Sequence, residues 1–180
     1  MEYINHSGFS FWHNYLCDLL DDYAINGEVN SARFIARTAL GILCASLILL
    51  WFYLPKLFMT KSNNPKIMRL SGILSLIITL FLASGTHDLI IRIAGIIGVI
   101  AIITCLVELY KIRSYKLLSF GLFCMLVFFA NYFIYETGYL RNILPVLQKF
   151  TFISFIVWFA ILDIRLYKKQ KLYNEKKTSL

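Results

Sequence analysis

Apolar residues along the chain gather into five runs, over residues 35–58, 67–84, 88–109, 117–135 and 147–166. Each is about as long as an α-helix needs to be to cross a bilayer core, roughly 20 residues. In the first run Pro55, which lacks an N–H donor, marks an end or a kink, and Trp51 and Tyr53 suit an interfacial aromatic belt. Little more than Gly85, Thr86 and His87 separates the second and third runs. That link allows only an antiparallel hairpin, so the two helices are direct neighbours. The pattern predicts an all-α membrane protein, a bundle of five transmembrane helices. Arg92, Asn131 and Asp163 interrupt the runs, and a polar group inside a bilayer needs a partner.

Ahead of the first run the period is helical but the composition differs. Between residues 11 and 23, Trp12, Tyr15, Leu16, Leu19, Leu20 and Tyr23 share one face, and His13, Asn14, Asp18, Asp21 and Asp22 take most of the other. This predicts an outer amphipathic helix lying at the interface, with Ser10 as its N-cap. Lipid-binding helices favour basic polar faces, so an acidic one is expected to dock onto the protein's own bundle. Asn26 and Gly27 mark a turn, and Asn30 or Ser31 can cap the first membrane helix. The segment has none of the basic start, apolar core and cleavage site of a signal peptide. Three parts follow: an extracytoplasmic segment 1–31, a transmembrane bundle 32–167 and a basic tail 168–180.

Composition agrees: 59% of residues are hydrophobic and 16% charged, too apolar for a soluble globule. The distribution of Lys and Arg predicts orientation. With the amino terminus outside, thirteen fall on cytoplasmic stretches, among them Lys56, Arg69, Lys111, Arg113 and the tail from Arg165 to Lys177. Five fall outside: Arg33, Arg37, Arg92, Arg141 and Lys149. The positive-inside bias therefore puts the carboxyl terminus in the cytoplasm. The net charge of +8 is a topology signal, because the basic residues flank helices in short clusters and no soluble domain carries them toward nucleic acid. Attraction to anionic inner-leaflet lipids accounts for the tail.

The string FSFWHNYLCDLL over residues 9–20, followed by AINGEVNSAR over 24–33 and a membrane helix, resembles the outer loop of small bacterial membrane proteins of the domain of unknown function 998 family. The similarity extends over most of the chain, and His87–Asp88 resembles a pair at the outer start of a later helix in that family. The resemblance implies a bacterial cytoplasmic membrane and carries no activity to transfer. Such relatives have an apolar helix ahead of the loop, which here follows Met1 within a few residues; the expectation is either that this helix is absent or that a longer protein contains it.

Candidate chemistry gathers at the outer face. Asp18, Arg37, Arg92, Asn131 and Glu136 are candidate ligand-binding residues, with Asp21 and Asp22 beside Asp18. Asp88 and Arg92, at i and i+4, can pair along a helix face. Arg37 and Arg92 suit an anionic headgroup. His87 and Asp88 form a candidate acid–base pair. The chain has three histidines and no HxxxH or HExxH spacing, so no metal site is expected, and no cofactor motif of the GxxxxGKS, GxGxxG or GxSxG kind is present. Asp163 is expected to pair with Arg165 or Lys168, and Asn131 to bond a neighbouring helix. Cys44 and Cys105 read as packing residues, Cys105 on a stripe of small residues with Ala94, Gly98 and Ala101. The functional expectation is a binder of membrane lipid, or of a protein partner in the membrane, through an outer polar pocket. The alternatives are a membrane-embedded lipid-modifying enzyme using His87 and Asp88, and a small transporter, which the lack of charge at mid-membrane depth disfavours.

Overall fold

The structure, a computed structural model, describes residues 9–24, 26–58, 62–83 and 87–178, with the backbone alone for Ala83, His87 and Thr178. Five helices dominate: α1 (Arg33–Tyr53), α2 (Asn64–Thr79), α3 (His87–Lys111), α4 (Tyr115–Thr137) and α5 (Leu144–Thr178). All five, with their flanking turns, are long and apolar enough to cross a membrane. Their outer faces expose Ile35, Leu70, Ile96, Leu126 and Phe133, as lipid-facing surfaces do. Pro55 does end α1, which passes into a 3₁₀ turn over Leu54–Leu57. The link expected at Gly85 and Thr86 lies outside the described residues. On either side of it α2 and α3 pack together, and Ser75 Oγ donates to Ala94 C=O at 2.8 Å. Helix α5 runs through the expected end of its apolar stretch and carries the basic tail as continuous helix.

The bundle is dense at one end and open at the other. We call the end bearing residues 9–32 upper. The core lies in the lower half, where Trp51, Leu54, Met68, Leu109, Trp158 and Leu162 are all buried. Two glycines let the helices meet there. A Cβ at Gly72 would lie 2.4 Å from the Trp51 ring, and one at Gly121 would lie 2.6 Å from Leu106 and 2.8 Å from Trp158. Both indoles therefore lie flat on backbone that a larger residue would cover. Trp158 Nε1 also donates to Leu117 C=O at 3.0 Å, which ties α5 to α4. The small-residue stripe is as expected, with Ala94, Ala101 and Cys105 buried and Gly98 a close neighbour of Ser75 on α2.

Polar side chains gathered around buried Glu108 and Ser114 pin the lower end. Glu108, fully buried, accepts from Asn64 Nδ2 at 3.1 Å and Ser62 Oγ at 3.3 Å, and pairs with Lys111 Nζ at 2.6 Å. Arg165 turns to Ser114 Oγ between α3 and α4, and Lys169 Nζ donates to Leu57 C=O at 2.8 Å. Asp163, expected to pair near these cations, is exposed.

Replacing Gly121 with Leu should destabilise the detergent-purified protein by about 1–3 kcal/mol, the usual cost of overpacking. Gly41→Leu, where a Cβ meets nothing within 4 Å, should leave the thermal midpoint nearly unchanged. Equal midpoints for the two variants would contradict tight packing at Gly121.

Candidate functional site

The outer segment is not the expected amphipathic helix. Residues 11–13 form a turn, residues 14–16 are irregular, a 3₁₀ turn covers Cys17–Leu20, and Tyr23 and Val29 form an antiparallel bridge around the Asn26–Gly27 turn. Short polar side chains capture the backbone groups that a helical ladder would use. Ser10 N–H donates to Asn14 Oδ1 at 2.7 Å, and Tyr15 N–H to Asp18 Oδ2 at 2.7 Å. Asn30 Nδ2 lies within 3.0–3.3 Å of the carbonyls of Asp18, Leu19 and Asp21, and its Oδ1 accepts from Ala32 N–H at the start of α1. Ser10 thus closes a turn with Asn14 rather than capping a helix.

Docking onto the bundle is as anticipated, and α5 supplies the anchor. Lys149, 3% exposed, donates to Asn14 C=O at 2.5 Å and Pro145 C=O at 3.0 Å, below the rings of Phe11 and Phe9 at 4.9 and 5.7 Å. Gln148 Oε1 accepts from Leu16 N–H at 3.0 Å. On the opposite side Arg37 donates to Leu20 C=O at 2.9 Å and to Asp22 at 3.0 Å, and Arg33 shares that carboxylate at 3.6 Å. The segment therefore bridges α1 and α5.

Under this bridge lies a cavity of about 680 Å³. Leu16, Cys17, Leu19 and Leu20 roof it, Ala36, Leu40 and Leu47 of α1 form one wall, and Phe152 and Phe155 of α5 form the other. The α2–α3 hairpin is its back, through Ser75, Thr79, Ala94 and Gly98, and Trp51, Gly72 and Phe159 are its floor. Ser75 and Thr79 direct their hydroxyls to helix carbonyls, which leaves the lining apolar. Ala39 and Phe152 line the cavity yet are exposed, so it opens sideways between α1 and α5.

The candidate polar residues separate into groups. Asp18 lies in the roof; burial pushes its carboxyl above the ordinary range, against the opposing hydrogen bonds from Tyr15 N–H and Asn14. Arg37 is at the α1 rim. Arg92 pairs with Glu136 at 3.1 Å and Asp88 accepts from Tyr135 Oη at 2.7 Å, so both join α3 to α4. Asn131 Nδ2 donates to Thr151 Oγ1 at 3.2 Å between α4 and α5, a helix–helix bond as anticipated. His87 begins α3, and its side chain lies outside the described residues. No group of three or more His, Cys, Asp or Glu among the described residues is arranged to hold a metal ion. Charge counting along the sequence places Lys149 only among the outer cations and does not single out Glu108; the signal for each is a charge set inside an apolar run.

Comparison with protein-family models, characterised proteins and solved structures finds no match.

Burial, reinforced by the Asp18 charge, pushes the half-buried Cys17 thiol up to about 11. At neutral pH the thiolate that reacts with maleimides is scarce. Alkylation of Cys17 should speed up about tenfold per pH unit until near 11, whereas an ordinary thiol levels off near 8.5. Lys149→Met, which removes the anchor and keeps an apolar stem, should increase the neutral-pH rate roughly tenfold. A wild-type profile that levels off near 8.5 would mean that the segment does not cover this thiol.

Proposed function

We propose that the protein binds a membrane lipid, one of whose acyl chains enters the cavity between α1 and α5 from the outer leaflet of a bacterial cytoplasmic membrane. The observation that carries this reading is the apolar cavity itself, roofed by the chain's own outer segment. Its volume falls within the range of ligand sites, roughly 300–1,000 Å³. Left empty, its lining would forgo the dispersion contacts that neighbouring atoms supply. A cavity open sideways to lipid is filled instead, and hydrocarbon is what surrounds it. Arg33 and Arg37 share one carboxylate at the rim, an excess of positive charge suited to a phosphate. Exposed ion pairs of this kind contribute only about 0–1 kcal/mol and exchange readily. Binding is favoured over lipid modification because Asp88 is directed at Tyr135 of α4, while the next turn of α3 lines the cavity through Ile90 and Ile91.

The orientation belongs to the same proposal: amino terminus outside, carboxyl terminus in the cytoplasm. It is supported by the lower-end cluster of Lys111, Arg165 and Lys169 and by the helical basic tail. A carboxyl-terminal fluorescent-protein fusion should fluoresce and an alkaline phosphatase fusion should be inactive; the opposite pattern reverses the topology.

Native mass spectrometry of protein purified in mild nonionic detergent should show about one retained lipid per chain. Ala39→Trp, which places an indole in the lateral opening, should remove most of that lipid while the protein stays folded. Undiminished retention in a folded Ala39→Trp protein would sink the proposal, and a co-purifying protein in place of lipid would replace the ligand with a partner.

A further inference from the structure

The cavity has a shape as well as a volume. Along α1 its lining runs from Ala36 to Trp51, fifteen residues or about 22 Å at the helical rise. Over that length the lining is apolar from the roof to the floor, a long space suited to a hydrocarbon chain.

The floor is rigid. Trp51 is 3% exposed, and its ring is held against the bare backbone of Gly72, where a Cβ would approach to 2.4 Å. Phe159 packs edge-on against it with ring centroids 5.6 Å apart. Leu54 and Met68, both 0% exposed, join it in the core. A chain that reaches this floor has no path further down.

We infer that Trp51, seated on Gly72 and braced by Phe159, is a chain-length gauge: the site takes a single long acyl chain tail-first and discriminates by where the tail meets the indole. The inference rests on the lipid-binding reading above and adds a substrate class to it, lipids with at least one long, unbranched chain. The discriminating contact is steric. Each methylene buried before the floor adds affinity, and any beyond it stays outside.

The test uses full-length protein in nonionic detergent and a homologous series of saturated fatty acids, with binding read by competition in native mass spectrometry. For wild type, affinity should rise with each added methylene, as the tail gains packing contacts with the cavity walls, and then stop rising at a definite length. Trp51→Leu, which lowers the floor, should move that break to longer chains. Leu47→Trp, which raises the floor by about one helical turn of 5.4 Å, should move it to shorter ones. A break at the same length in all three proteins overturns the gauge and leaves lipid binding standing. Wild type that binds no chain of any length overturns both. If Trp51→Leu fails to fold, Leu47→Trp alone decides, because an unmoved break in that variant is sufficient to reject the gauge.

Discussion

Everything above the middle of the bundle depends on how two indoles are seated below it. Trp51 on Gly72 and Trp158 on Gly121 draw α1 to α2 and α5 to α4 into van der Waals contact in the lower half. In a bilayer, where lipid tails are as apolar as leucine, such close packing is a main source of helix association. Above the point where α1 and α5 meet through Trp51 and Phe159, the small and aliphatic residues Ala36, Ala39 and Leu40 line the cavity across from Phe152 and Phe155 of α5. The cavity is the consequence of a tight floor beneath small and aliphatic walls.

The outer segment completes the site at the cost of its own regular structure. Its amides and carbonyls are taken by Asn14, Asp18, Asn30, Gln148 and Lys149, so it crosses the mouth as turns rather than as a helix. Lys149 is central to that arrangement: a cation 3% exposed, it is tolerated because two carbonyls and two aromatic faces replace its water. The lower end repeats the device with opposite sign, where buried Glu108 gathers Ser62, Asn64 and Lys111.

Much of this was legible in one dimension. The five runs, the stop at Pro55, the α2–α3 pairing, the buried small-residue stripe and the interhelical bond of Asn131 all follow from hydropathy, length and the cost of a lone amide in lipid. The outer segment was misread because its 3.6-residue period is real, yet the competing side-chain hydrogen bonds come partly from α5, more than a hundred residues away. Charge counting gives Lys149 no depth and passes over Glu108, since burial depends on which neighbour covers them. Arg37 and Arg92 were grouped together because both stand near the top of a helix, and the fold assigns them to Asp22 and Glu136 on different sides. The cavity has no signature along the chain at all, because residues far apart in sequence line it together.

The central claim is that the space between α1 and α5 is a built slot for one lipid chain. A crystal structure from protein purified with its native lipids and grown in a lipidic mesophase tests it most directly. The account predicts a single continuous tube of density that enters between Ala39 and Phe152 under the outer segment and ends on the face of Trp51. Helices α1 and α5 closed against each other along their whole length, with no density between them, would contradict it.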